Sequence, residues 1–132
     1  MSAVSVSAAT DRDRKPIIID DSHLERMTLG DRRLEREVLE LFVRQTTMML
    51  DRIVGAEPAM AAATAHTLKG SARGIGAWRV ARAAELLENA AGVGGHDDVA
   101  EAITELKAAS LEASAAIGAR LTVLLADLAR DR

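Results

Sequence analysis

The chain has 132 residues, a formal net charge of −3 and no cysteine. This length suits one domain with its own hydrophobic core. Acidic and basic residues are interspersed, so no basic patch marks a nucleic-acid or anionic-membrane partner, and the lack of cysteine excludes disulfides and thiolate zinc sites. One Trp, one Phe and no Tyr leave the core to aliphatic residues and alanine, which favours closely packed helices.

The N-terminal residues 1–16 mix small and charged side chains without periodicity, which predicts a flexible tail before a single domain over residues 17–132. A basic segment followed by a long apolar run does not occur there, and 18 consecutive apolar residues occur nowhere. We therefore expect a soluble cytoplasmic protein. The stretch IIIDDSHLERMTLGD, residues 17–31, then predicts a short helix over about 22–29, with an Asp or Ser cap and a stop at Gly30.

Apolar spacings of three and four predict four longer helices. They cover about residues 31–55, from 58 to 73 or 75, 77–91 and 98–128. Pro58 suits a first helical turn, and Asp98 with Glu101 forms a capping-box pattern for the last helix. The final turns of that helix carry a leucine stripe, Leu121, Leu124 and Leu128, expected to pack on the N-terminal helix or on another molecule.

Short connections favour antiparallel neighbours. The expected fold is therefore all-α: an antiparallel up-down-up-down four-helix bundle with an additional short N-terminal helix and a long C-terminal helix. Gly118 could mark a bend in that last helix. We expect Trp78, Met48 and Met49 in the core, and His23 and His96 as plain surface residues.

The stretch TAHTLKGSARGIG, residues 64–76, combines a histidine with two glycines inside a predicted helix. Projected at about 100° per residue, His66, Lys69, Gly70, Arg73 and Gly74 share one side of the helix. The opposite, core-facing side carries Ala61, Leu68, Ala72 and Ile75. Glycine costs a helix interior about 0.5–1 kcal/mol relative to alanine, so a compensating role is expected. A strip bare of side chains lets another protein approach the histidine closely.

These residue types suit phosphoryl chemistry. A neutral imidazole can act as a nucleophile, and a lysine ammonium can neutralise phosphoryl oxygens. Phosphoryl transfer requires little of a protein beyond positioning and charge stabilisation. The residues alone also fit a solvated histidine, an exposed lysine and glycines that permit close helix packing, so both interpretations stay open at this point.

The segment AHTLKGSARGIGAWRVARAAELLE, residues 65–88, closely resembles the signature of bacterial histidine phosphotransfer (HPt) domains. The matching positions are His66, Lys69-Gly70-Ser71, Gly76-Ala77 and Leu87-Glu88. Together with the preceding helix, the likeness covers about residues 17–110. Beyond Ser110 the chain extends past the usual end of the domain.

The resemblance implies that an exposed His66 accepts a phosphoryl group from a receiver-domain aspartate and passes it to another receiver. By position, Lys69 would stabilise the phosphoryl group and Gly70 would give the receiver access. Glu88 matches a position that in some members approaches the other imidazole nitrogen and sets the tautomer. For Arg73 we weigh a contact with an acidic rim on the receiver against simple exposure.

The resemblance further implies a phosphocarrier and not an enzyme with its own ATP site. Nucleotide-binding patterns and a clustered acidic Mg²⁺ site are absent from the sequence, so no cofactor of its own is expected and the Mg²⁺ would sit on the receiver. Expected partners are response-regulator receiver domains and/or a hybrid histidine kinase, with no nucleic acid and no membrane. The alternatives are a helical adaptor, with a homodimer through the C-terminal helix, and a phospho-accepting substrate domain of a partner histidine kinase.

Overall fold

A computed structural model describes residues 18–93 and 95–130 of the chain, and these residues form five helices. The helices are α1 (Asp21–Thr28), α2 (Arg32–Ile53), α3 (Pro58–Ile75), α4 (Trp78–Val93) and α5 (His96–Arg130). The described ranges contain no strand, so the all-α prediction is confirmed. The predicted tail, residues 1–16, lies outside the described residues.

Aspartates begin the first two helices. The Asp20 carboxylate accepts a hydrogen bond from the backbone N–H of His23 at 3.1 Å. Asp31 accepts from the N–H groups of Arg33 at 2.9 Å and Leu34 at 3.1 Å. These bonds satisfy N–H groups that have no partner within the helix. The local sequence therefore sets where α1 and α2 start.

The start of α5 differs from the prediction. The helix begins at His96, because the Gly95 carbonyl already accepts a helical bond from Val99 at 3.1 Å. The Asp98 carboxylate accepts from the backbone N–H of Gly95 at 3.4 Å. Asp98 thus fills the back-reaching position of a capping box, the position predicted for Glu101.

The four longer helices form a closed ring. α2 packs on α3 and α5, and α4 packs on α3 and α5, whereas α3 and α5 lie diagonally across the bundle with their backbones farther apart. Interhelical ion pairs follow antiparallel registers: Arg32 meets Asp127, and Glu35 meets Arg120. α1 packs across α2 and α3. The largest fully buried side chains of the ring are Leu39, Ile53, Leu68, Leu87, Leu106 and Ile117.

Buried alanines bring α3 and α4 close together. Ala65 and Ala72 of α3 and Ala81 and Ala84 of α4 are all buried. The separation of two packed helices depends on the side chains at their contact, so short side chains permit a close approach. That approach places functional groups of the two helices within hydrogen-bonding reach of one another.

The C-terminal leucine stripe belongs to the bundle of this chain. Leu124 is buried, Leu121 packs against the core, and Leu128 is half-buried. α5 continues through Gly118 without interruption. By length and composition alone α5 could cross a membrane, since one window of 18 residues has a mean hydropathy of 1.3. In this structure, however, its inner face supplies part of the bundle core.

Arg120 ties the C-terminal part of α5 to the N-terminal helices. Its guanidinium pairs with Asp21 of α1 and with Glu35 of α2, at 3.2 Å in the second case. Burial opposes the charge, but the hydrogen bond with Glu35 and the two carboxylates raise the pKa of Arg120 overall. A half-buried guanidinium that is hydrogen-bonded to two carboxylates holds its neighbours in place better than an exposed pair does.

The predictions for Trp78 and His23 are wrong. Trp78 is 41% exposed at the first residue of α4, and its indole N–H donates to the Asp20 carboxylate at 2.9 Å. The His23 ring meets the indole edge-on with ring centroids 4.8 Å apart, and its Nε2 is buried. A polar tip and a large ring together favour this position, where one end is hydrogen-bonded and the other is packed. His96, by contrast, is exposed as predicted.

Met48 is also not a core residue. Thr46 and Met49, three residues apart on α2, turn toward the interior of the bundle. The helical period then places Met48 outward, where it is exposed. Met49 is half-buried and packs against the core. Of the two methionines, only Met49 therefore agrees with the prediction.

Gly76 has a φ of +78° at the end of α3, and a Cβ there would lie 2.9 Å from the Cβ of Asp20. We expect Gly76→Ala to lower the free energy of unfolding by about 1–3 kcal/mol, through backbone strain and this clash. Gly74→Ala is the matched control, because a Cβ there meets nothing within 4 Å. It should raise stability by about 0.5–1 kcal/mol. Urea denaturation measures the stability of both variants. Effects of the same sign would contradict a specific requirement for glycine at position 76.

Candidate functional site

α3 presents His66 on the outer surface of the bundle. The imidazole is 66% exposed, whereas Leu68 and Ala72 of the same helix are fully buried. The two sets of side chains therefore point in opposite directions, as expected of an amphipathic helix. His66 is available to another molecule.

Glu88 of α4 holds the histidine and the lysine at the same time. One carboxylate oxygen, Oε2, lies 2.9 Å from Nδ1 of His66. The other oxygen, Oε1, accepts a hydrogen bond from Nζ of Lys69 at 2.8 Å. His66 and Lys69 are one turn apart on α3, so one carboxylate across the α3–α4 contact reaches both.

The lysine ammonium favours the ionised form of this carboxylate. The hydrogen bond from Lys69, supported by that from His66, lowers the pKa of Glu88 below its usual 4.5, although partial burial acts in the opposite direction. A lowered carboxylate pKa means that these contacts stabilise the fold above pH 4.5 and are lost as the pH falls through the lowered value. At neutral pH Glu88 is therefore an anion.

An ionised carboxylate only accepts hydrogen bonds. Nδ1 of His66 must therefore carry the proton when the ring is neutral, and the lone pair is left on Nε2. The structure thus gives the exposed imidazole a defined tautomer with an unprotonated nitrogen directed away from Glu88.

Gly70 and Gly74 leave open space along the helix that carries the histidine. A Cβ built on either glycine meets nothing within 4 Å. Packing within the chain therefore does not explain them, and the interpretation that they permit close helix packing is wrong here. Gly70 leaves exposed backbone beside His66, and Gly74 leaves half-buried backbone about two turns from His66 along the helix.

Arg73 lies away from the three-residue contact. Its guanidinium is 3.8 Å from the carboxylate of Glu85, and both side chains are largely exposed. Glu85 was not singled out from the sequence. The pair could have been predicted from the spacing of the two helices. Arg73 follows Lys69 by one turn on α3, and Glu85 precedes Glu88 by about one turn on the antiparallel α4.

The structure thus brings His66, Lys69 and Glu88 together, with Gly70 beside them and Arg73 one turn further on. Within residues 18–93 and 95–130, no group of three or more histidine and acidic side chains could hold a metal ion.

The fold and the site together define a class of protein: a helical bundle with an exposed imidazole that a carboxylate of the neighbouring helix orients. The family model described as Hpt domain matches residues 37–117, more than half of the chain. The chain therefore belongs to the Hpt domain family. A comparison with curated proteins found no match.

One solved structure is similar over nearly the whole chain. It is described as a histidine-containing phosphotransfer protein from rice, with a TM-score of 0.74 and 14% sequence identity. The similarity covers 93% of this chain and 90% of the rice chain. At this identity it shows a common fold, and its plant source means that the likeness does not confine the fold to bacteria. α1 and the final turns of α5 lie outside the family match.

Replacing Glu88 with alanine tests the tautomer. We expect His66 to favour the Nδ1–H form in the unaltered protein and to lose that preference in Glu88→Ala, because the acceptor is gone. Imidazole ¹⁵N chemical shifts measured by NMR distinguish the two forms. Glu85→Ala, which removes the neighbouring carboxylate of the same helix, should leave the shifts unchanged. An equal change in both variants would contradict the direct role of Glu88.

Proposed function

We propose that the chain is a cytoplasmic phosphocarrier that accepts a phosphoryl group on His66 from a receiver-domain aspartate and passes it to another receiver aspartate. Membership of the Hpt domain family supports a phosphotransfer role. The observation that carries the proposal is the exposed imidazole whose Nδ1 is held by an anionic carboxylate. In this arrangement Nε2 is the attacking atom.

Phosphoryl transfer to Nε2 does not require a proton to leave the imidazole ring. The Nε2 lone pair forms a bond to phosphorus, and the bond between phosphorus and the aspartate oxygen of the receiver breaks. The aspartate departs as a carboxylate, and the imidazole becomes a cation that retains its Nδ1–H. Glu88 lies 2.9 Å from Nδ1 and offsets this positive charge. Transfer to the next receiver is the same step in reverse.

Lys69 supplies a positive charge close to the reacting group. Its side chain is only 14% exposed, because it runs along the bundle to reach Glu88. Nζ is thus held beside His66 before a phosphoryl group arrives, and the flexible stem lets the ammonium turn toward the new oxygens. Because the ammonium already lies next to the carboxylate that holds His66, only the lysine side chain has to move to reach those oxygens.

The surroundings of His66 fit a protein partner. Gly70 and Gly74 let the partner's active site approach the backbone of α3, and the exposed Arg73–Glu85 pair offers both signs of charge at the edge. The Mg²⁺ that phosphoryl transfer between such partners requires would come from the receiver. A hybrid histidine kinase, through its receiver, is a suitable donor.

With a phosphorylated receiver as donor, we expect a phosphoryl adduct on the chain that is acid-labile and base-stable, and none on His66→Gln. Lys69→Ala should slow the transfer by about 10- to 100-fold, because a charge that stabilises the transition state is lost. Lys107→Ala is the control, since this lysine is exposed on α5, diagonally across from α3. Time courses with labelled phosphate measure transfer to all three variants. Labelling of His66→Gln would disprove His66 as the phosphoryl acceptor.

A leucine at position 70 tests the open strip. We expect Gly70→Leu to weaken receiver binding by about 10-fold or more through steric conflict, although leucine is the better helix former and should stabilise the fold. Titration calorimetry with the receiver, and thermal unfolding, separate the two effects. Thr104→Leu is the control, since it places the same leucine side chain at an exposed position of α5. It should leave binding unchanged, and normal binding by Gly70→Leu would count against access as the role of the glycine.

A further inference from the structure

α5 has a second apolar face that the chain itself does not cover. Its buried residues face the bundle. On the opposite side, exposed residues recur at spacings of 4, 3, 4, 3 and 4. We define this set as the outer seam: Leu111, Ala115, Gly118, Thr122, Leu125 and Ala129. Two of its members are large and apolar, since Leu111 is 73% exposed and Leu125 is 46% exposed.

The spacing of the outer seam is that of a coiled coil. Small or apolar residues at alternating intervals of three and four keep one stripe of a helix directed at a partner helix. From residue 111 to 129 the seam extends over about 27 Å, at 1.5 Å per residue. An exposed seam of this kind fits another helix better than it fits a small ligand or a flat surface.

Charge restricts the kind of helix that fits. Between residues 108 and 129, α5 has three charged side chains, and none of them lies on the seam. Each forms an ion pair within the chain: Glu112 with Arg79, Arg120 with Glu35, and Asp127 with Arg32. A charged partner would find no free counter-charge on the seam itself. Arg33 and Arg36 of α2 lie beside Leu125 and border the seam as a polar rim. The complementary surface is therefore uncharged along its centre, as the seam is.

The seam is also symmetric about Gly118. Leu111 precedes this glycine by seven residues, and Leu125 follows it by seven. A two-fold axis at Gly118 in an antiparallel pair of helices would place Leu111 of one copy against Leu125 of the other. A Cβ at Gly118 meets nothing within 4 Å inside the chain, so the glycine is free to let two helices cross closely.

We propose that two copies of the chain associate through antiparallel α5 helices that cross at Gly118. The same surface patch is used on both copies, as in other two-fold dimers. Because α5 lies diagonally opposite α3, both His66 side chains remain on the outside of the pair. The proposal therefore does not depend on the proposed function.

Cysteine cross-linking tests the register, because the chain has no cysteine of its own. Under mild oxidation Gly118→Cys should form a disulfide-linked dimer. A mixture of Leu111→Cys and Leu125→Cys should form the mixed disulfide, whereas Leu111→Cys alone should not, because its two copies would lie about 21 Å apart. Efficient self-linking of Leu111→Cys would overturn the antiparallel arrangement.

Sedimentation equilibrium of the full chain tests the association without engineered bonds. The mass should rise with concentration from that of one chain toward that of two. The double variant Leu111→Glu, Leu125→Glu should stay at one chain and keep the phosphotransfer rate, because its changes lie away from His66. Met27→Glu, Met60→Glu alters two equally exposed residues outside α5 and should still associate. A monomer at all concentrations, or one that binds lipid vesicles through the seam instead, would overturn the proposal.

Discussion

The carboxylate of Glu88 is the group on which the rest of the site depends. Its two oxygens are divided between the Nδ1 of His66 and the ammonium of Lys69. One negative charge therefore fixes the proton on the imidazole and the position of the nearest cation. This arrangement requires α3 and α4 to approach closely in one register. Buried alanines permit the approach, and the short connection of Gly76 and Ala77 between α3 and α4 limits sliding between the two helices.

The interior glycines show where helix stability is given up for an accessible surface. Gly70, Gly74 and Gly118 each lie in open space inside a helix. None is required by packing within the chain, although each lowers helix propensity. Two of them lie beside His66, and the third is at the centre of the outer seam. At these three positions the sequence departs from good helix formers and leaves backbone that no other part of the described chain covers.

Local signals predicted most helix starts, with α5 as the exception, and a contact distant in sequence produced the error at Trp78. Aspartate caps and Pro58 act over a few residues, so they located the helix starts from sequence. The exposure of Trp78 depends on Asp20, 58 positions earlier in the chain, and no local pattern contains that contact. The partner of Arg73 likewise depends on the register of two antiparallel helices.

The inward-facing side of α5 was difficult to predict from sequence, because both faces of this helix carry apolar residues. Periodicity marked the stripe of Leu121, Leu124 and Leu128 correctly as apolar. It could not decide which stripe faces the bundle, because that depends on where α2 and α4 lie. Packing settles the question: this stripe is directed inward, and the stripe through Leu111 and Leu125 is left outside.

The junction between α1 and α4 gives this chain an intrinsic optical probe. Trp78 is its one tryptophan, and it has no tyrosine. Ultraviolet-excited emission therefore originates almost wholly from an indole that is hydrogen-bonded to Asp20 and in contact with the ring of His23. Detachment of α1 would remove both neighbours at once and change the fluorescence, so the docking of this helix can be followed without attaching a dye.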